Sequence, residues 1–545
     1  MSENRRIARA AGLVGFFTFL SRIAGLVRDS VTGYYFGTGA AADAFFVAFR
    51  APNLLRRFVA EGAMSVALIP VFTDYLTQRT REEADEAMSA VATLMAVVTL
   101  VITIAGVLSA RWITQLFAPG FSADPAKFEL TVMLTALLFP YIFLVSMVAL
   151  AAGILNSVRH FAAPAVSPIM LNLAMIVAVL FNPYFAEPIT AQAYGVLIGG
   201  VLQLAIQLPP LMRHGFRLRW RWAPRHEAVQ RALRLMGPMV FGAAVYQINV
   251  LVSTVLASML PDGSVSYLWY SGRVFEFPLG IFAVALGTAA LPSFSAQVSR
   301  RAFDEMAHSL SFSVRLTNLI AIPATVGIAL LALPITSVLF QRGAYSFAEC
   351  QQTASALAAY ATGLWAVSMV RLMAPAFYAL GDTRTPVITA AAAFVINLIL
   401  SLCTMGQVEP GASAVGGFIA AVTAAVSFVD LRHVGLALAT SLAATVNFAL
   451  LAVLLRQHLP QLRLAPLIPS FLRSLAASVA MIPPVLYAQS FVDWQTGSLL
   501  MRASALGAAV AGGVATFSVV ALLLGGDDVD AMRRVLRERF QRRRG

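Results

Sequence analysis

The stretch SRIAGLVRDSVTGYYFGTGAAADAFFVAFRAPNLLRRFVAE, Ser21–Glu61, decides the fold. It sets Arg22, Arg28, Asp29, Asp43, Arg50, Arg56, Arg57 and Glu61 inside or at the edges of segments apolar enough to span a bilayer. An ionisable group at membrane depth costs about 2.5–3.5 kcal/mol on insertion scales, so such residues face a bundle interior or a watery cavity. So many charges so close together imply an interior that uses them.

The rest of the chain agrees with a membrane setting. Of 545 residues 59% are hydrophobic and only 12% charged, the mean hydropathy is +0.78, and a soluble domain carries about 25% charged residues. Repeated apolar runs of about 20 residues indicate helices rather than barrel strands, which alternate over about 10. The expected fold is an all-α polytopic membrane protein of fourteen transmembrane helices, the first near 10–36 and the last near 499–524. The start, MSENRRIARAAGLVGFF, resembles a signal peptide but runs on into Arg22 and Arg28, and is read as a retained first helix.

The basic residues orient these helices. Counting from a cytoplasmic N-terminus, one side collects Arg5, Arg6 and Arg9, the loop Arg213–Arg234 and the tail Arg533–Arg544, while the other receives only Arg111, Lys127, Arg342, Arg432 and Arg502. Lys/Arg excess marks the cytoplasmic side, so both termini are expected there. The Gly- and Ala-rich segment 406–430 would invert every later loop if it crossed, and is read as an external or interfacial excursion. The net charge of +13 is spread over short loops, with no basic soluble module for nucleic acid.

A repeat lies within the chain. VSMV occurs at Val145–Val148 and Val367–Val370, each Ser followed 18 residues on by a proline, Pro164 and Pro386. The same offset of 222 relates ALIPVF around Pro70 to AALPSF around Pro292. Six helices separate the copies, so they are parallel repeats. The expected organisation is two pseudo-symmetric six-helix lobes about a central cavity, residues 1–230 and 231–458, with two appended helices and a basic tail in 459–545.

On the second segment Asp43, Arg50, Arg57 and Glu61 are spaced by 7, 7 and 4, placing them within about 40° on a helix at 100° per residue. Arg56 lies about 100° away. Arg22 and Asp29 share a face on the first helix, with Arg28 to one side. Arg273 and Glu276 are paired at i and i+3, and Arg315 and Arg371 complete the set. Buried salt bridges alone would explain some of these, but four carboxylates cannot neutralise eight arginines. The surplus favours a hydrated cationic cavity for an anion, since the guanidinium fork fits phosphate and carboxylate oxygens. Six histidines without ligand spacing suggest no metal, and a single lysine, Lys127, excludes a Walker A motif. Cys350 and Cys403 are read as small apolar residues.

SRIAGLVRD at 21–29, DAFFVAFRAPNLLRRFVAEGAMSVALIPVF at 43–72, APGF at 118–121, GILNSVRHFAAPA at 153–165 and APAFYALGDTRTPV at 374–387 closely resemble the MurJ (MviN) family of bacterial lipid II flippases, in the multidrug/oligosaccharidyl-lipid/polysaccharide exporter superfamily. The resemblance implies transfer of an undecaprenyl-pyrophosphate-linked peptidoglycan precursor across the cytoplasmic membrane. It implies roles for Arg22, Arg28 and Asp29, for Asp43, Arg56, Arg57, Glu61 and Gly62, and for Ser266, Arg273 and Glu276, and a lipid-tail groove at the last two helices. The chain departs from the family at Gly272, where many members have Asp, and in the length of its excursion. A sodium site reported for some members has no matching acids, so no cofactor or bound ion is expected, and a membrane potential or ion gradient is the expected energy source.

The expected mechanism is alternating access without an enzymatic step. The expected partners are lipid II, membrane lipids and cell-wall synthesis proteins. Rival readings are an exporter of another lipid-linked glycan or a drug, a non-transporting scaffold for cell-wall enzymes, and an enzyme acting on lipid pyrophosphates.

Overall fold

A computed structural model describes residues 3–56, 64–410, 413–463, 465 and 467–525, with backbone alone at 3–11, 55–56, 64–67, 237–246, 281 and 284–285. Among the described residues the chain is helical apart from short turns and one isolated bridge. Contact within the chain divides it into two compact units. The first holds residues 1–266 and 408–422, the second 267–407 and 423–545.

The first unit begins with α1 (Glu3–Phe36), α2 (Ala40–Arg56), α3 (Met64–Gln78), α4 (Arg81–Leu108) and α5 (Ala110–Phe117). It continues with α6 (Pro125–Leu138), α7 (Pro140–Ser157), α8 (Ala162–Val179), α9 (Thr190–Ala205), α10 (Leu208–Arg213) and α11 (Glu227–Ser258). α1 lies along α8, α8 along α9, and α2 along α6 and α7. The lobe boundary expected at 230/231 differs from the unit boundary at 266/267, because α11 packs against α3, α4 and α5.

The second unit comprises most of α12 (Ser264–Pro278), then α13 (Val284–Ser299), α14 (Phe303–Leu330), α15 (Ala332–Phe340), α16 (Phe347–Ala361), α17 (Leu364–Ala379) and α18 (Arg384–Thr404). After α19 (Ala414–Val426) come α20 (Arg432–His458), α21 (Leu467–Ala480), α22 (Ile482–Gln489) and α23 (Leu499–Leu524). Pro278 brings no N–H, and the helix passes through a π-helical turn at Leu279–Ala283. α21 and α22 pack on α23, which also lies against α15.

The offset seen in the sequence reappears in the coordinates. The starts of α4 and α14, α5 and α15, α6 and α16, and α8 and α18 are each 222 residues apart. In one core Leu68, Phe72, Met88, Leu150 and Leu155 are buried; 222 positions on, Ala290, Phe294, Leu310, Leu372 and Phe377 are buried in the other. Ser146 donates to Ile142 O at 2.7 Å and Ser368 to Leu364 O at 2.8 Å. Both α7 and α17 end through a left-handed residue, Arg159 (φ 60°) and Gly381 (φ 81°), that lets the next N–H bond back five residues.

Nine helical segments among the described residues are long and apolar enough to cross a membrane, ten if α16 and α17, bent by 43°, form one span. Outside that number, α1 holds Arg22, Arg28 and Asp29, α2 holds Asp43 and Arg50, and α12 holds Arg273 and Glu276. The segments that fall short therefore include those bearing the candidate site residues.

The excursion closes on itself. Met405 and Asp430 form an antiparallel bridge, and Leu431 N donates to Thr404 O at 2.9 Å. The chain thus returns to the end of α18 from which it left. At 13 residues α19 is about 20 Å long against a hydrocarbon core of about 30 Å. The α8–α9 connection has no such helix, although α8 packs on α9 as α18 packs on α20. Residues 408–422 belong to the first unit, where Ser413 Oγ donates to Pro119 O at 3.5 Å.

Candidate functional site

In the first unit α1 brings two oppositely charged neighbours into its buried side. Arg28 Nη2 and Nε donate to Asp29 Oδ1 at 2.6 and 2.9 Å, and Nη1 donates to Asn172 Oδ1 of α8 at 3.1 Å. Asn172 Nδ2 donates in turn to Ser21 O at 3.2 Å. One turn on, Thr32 Oγ1 donates to Arg28 O and accepts from Gln192 Nε2 of α9, both at 2.9 Å. Arg28 and Asp29 are 6% and 3% exposed; Arg28 joins α1 to α8, and Thr32 joins it to α9. Arg22, two turns earlier, is half-buried.

α2 carries the upper half of the expected charged stripe. Asp43 is 1% exposed. Its Oδ1 accepts from Ser266 Oγ at 2.6 Å and Ser266 N at 2.9 Å, and its Oδ2 from Gly263 N at 2.8 Å and Lys127 Nζ at 3.1 Å. Two of these are backbone donors at the start of α12, where unsatisfied N–H groups and the helix dipole favour an anion. Asp43 and Ser266, both singled out from the sequence, are thus in direct contact. Arg50 is half-buried. Arg57, Glu61 and Gly62 lie outside the described residues, as does the Arg56 side chain.

The count of basic residues places Lys127 among external loop charges. It stands instead in the first turn of α6, 4% exposed, bonded to Asp43 and, at 2.7 Å, to Asp262 Oδ1. Its ammonium also lies 3.9 Å from the centre of the Phe121 ring. The signal available in the sequence is its isolation as the only lysine, with Asp124 and Pro125 marking a helix start before it.

In the second unit Arg273 Nη1 lies 3.8 Å from Glu276 Oε2, and its guanidinium is 4.9 Å from the Trp269 ring centre. Both charged side chains stay about one-third exposed. A Cβ at Gly272 would meet nothing within 4 Å, so this position has room for a side chain. Arg315 and Arg371 are half-buried on α14 and α17. A Cβ at Gly287 would come within 2.7 Å of Arg371 O, so glycine permits the close approach of α13 and α17. Cys350 and Cys403 are both free.

Two loop groups outside the spans titrate away from their ordinary values. Hydrogen bonds from Thr385, and from the N–H of Arg384, hold the Asp382 carboxyl low at the start of α18. Burial pushes His160 down, and His214, with ring centres 5.5 Å apart, adds to this.

A family model described as lipid II flippase MurJ matches residues 32–504. The chain belongs to the lipid II flippase MurJ family. This MurJ-family chain is 34% identical over 536 residues to a probable lipid II flippase MurJ of Vibrio cholerae, spanning 96% of this chain and 97% of that relative. It is 37% identical over 394 residues to a lipid II flippase MurJ of Burkholderia cenocepacia, spanning 71% and 76%. A solved structure of lipid II flippase MurJ in an inward closed conformation superposes with a TM-score of 0.74 at 25% identity, covering 93% of this chain and 98% of that one. An inward-facing multidrug resistance MATE transporter of the MOP superfamily matches at a TM-score of 0.63 and 14% identity, covering 81% and 95%, a likeness of fold alone. The MurJ-family chain is therefore a multi-pass, all-helical membrane protein with a transporter fold.

Proposed function

We propose that this MurJ-family protein is a transporter, not an enzyme, that flips lipid II from the inner to the outer leaflet of the bacterial cytoplasmic membrane. One observation carries the chemistry. The acids Asp29 and Asp43 are sealed in networks of their own, whereas Arg22, Arg50, Arg273, Arg315 and Arg371 keep part of their surface open on apolar helices. Cations held this way suit the pyrophosphate and peptide carboxylates of the head group, while the polyprenyl tail stays in lipid. Among the described residues no carboxylate lies within ion-pair distance of Arg371.

In this reading the protein has fourteen spans, with α2/α3, α4/α5, α6/α7, α9/α10, α12/α13, α14/α15, α16/α17 and α21/α22 each counted once, and both termini cytoplasmic. The helix starts repeated at 222 support two duplicated lobes, and the closed stem of the excursion supports a crossing count that omits α19. Transport proceeds by alternating access, and an inside-negative potential assists an anion leaving by about 2.3 kcal/mol per charge per 100 mV over the full field. Cell-wall synthesis proteins are the partners to which the product would pass. The test is transfer of labelled lipid II in vesicles holding the purified chain. A scaffold would tolerate neutral residues at Arg22 and Arg273; the flippase would not.

A further inference from the structure

Arg502 stands in the first turn of α23 and is only 7% exposed. Its Nη1 donates to Ser337 Oγ at 2.9 Å and to Gln341 Oε1, both neutral acceptors, on α15 and at its C-terminal end. Gln341 is fixed from behind, donating to Gln495 O at 2.9 Å. Arg502 Nε is buried without an acceptor, and among the described residues no carboxylate lies within ion-pair distance. The acids in the neighbouring turns are engaged within their own turns: Asp493 accepts from Gln495 N at 2.9 Å and Thr496 Oγ1 at 2.5 Å, Glu349 from Ser346 N at 2.5 Å. A guanidinium does not deprotonate, and here it shares its place with the positive end of a helix. A buried cation in this position calls for an anion. Exposed Tyr487, Phe491, Leu499 and Leu500 flank the loop, the composition of a membrane interface, where phosphate groups reside.

We propose that Arg502 is the base of a phosphate site between α15 and the start of α23, filled by the phosphate ester of a membrane lipid head group. Ser337 and Gln341 hold the fork in place through Nη1, leaving Nη2 for a phosphate oxygen. The site lies within the second unit, and the proposal stands whether or not lipid II is the cargo.

The test is native mass spectrometry of the full chain in detergent with palmitoyl-oleoyl phosphatidylglycerol and, separately, the matching diacylglycerol. Phosphatidylglycerol should be retained about tenfold better than the diacylglycerol, the margin of a charge-assisted pair, and Arg502→Gln should abolish the difference while Arg502→Lys keeps part of it. Should Arg502→Gln fail to fold, hydrogen exchange on the natural chain decides: phosphatidylglycerol, but not diacylglycerol, should protect residues 494–504. Protection by inorganic phosphate alone would support the phosphate site and assign it to the free ion. Equal retention or equal protection by the two lipids, or unchanged discrimination in a folded Arg502→Gln protein, would overturn it.

Discussion

Lys127 Nζ lies 3.1 Å from Asp43 Oδ2 with both side chains sealed from solvent, fastening the first turn of α6 to the first turn of α2. Removing one member of a buried pair leaves the other charge uncompensated, at a cost of about 3–5 kcal/mol. Lys127→Met should therefore lower the melting temperature in detergent markedly. Adding Asp43→Asn should restore part of the loss, because the amide no longer buries a charge. Asp262→Asn should cost under about 1 kcal/mol, since that carboxylate is 62% exposed and screened.

Two arginines of α1 should separate into different phenotypes. Arg28→Ala deletes the donors that bind Asp29 and Asn172, so it should reduce the amount of folded protein by about 3 kcal/mol worth of stability. Arg22→Ala, at a half-buried position, should leave expression and melting near normal while blocking transport. Immunoblots and melting curves beside a transport assay check both.

His160 gives a pH dependence of definite sign. Its folded-state value is depressed, so the unfolded chain binds a proton more readily as pH falls through about 6.5, the ordinary histidine value. This group's contribution to stability is full above that pH and declines below it. The fall in melting temperature between pH 7.5 and 5.5 should be smaller in His160→Gln than in the natural protein.

The excursion should be dispensable for the packing of α18 on α20 in the second unit. Met405 and Asp430 already meet, so replacing 407–428 with a two-residue turn should leave α18 packed on α20 and the melting temperature within a few degrees. Circular dichroism and thermal melting measure this.

How far the sequence can be read depends on distance along the chain. The helices, the break at Pro278 and the offset between Ser146 and Ser368 are local or repeated patterns, and each reappears in the coordinates. The contact of Asp43 with Ser266 is legible only as membership of one list of residues. Counting basic residues for topology places Lys127 and Arg502 in external loops, because it treats each as solvated. Their partners lie 84 and 165 positions away, and no periodicity links such positions. Arg28 enters the substrate set through the family resemblance; its bond to Asn172 of α8, 144 positions on, is one that only packing reveals.

The central claim is that the half-buried arginines carry lipid II across the membrane. It is tested most directly in vesicles holding the purified chain and fluorescent lipid II, scored for labelled head groups reachable from the far side with and without an inside-negative potential. The account predicts transfer by the natural chain, faster with the potential, and loss of at least about tenfold in Arg22→Ala and Arg273→Ala at equal reconstituted amounts, the effect of about 1.4 kcal/mol or more in the barrier. Transfer at the natural rate in both variants would contradict it.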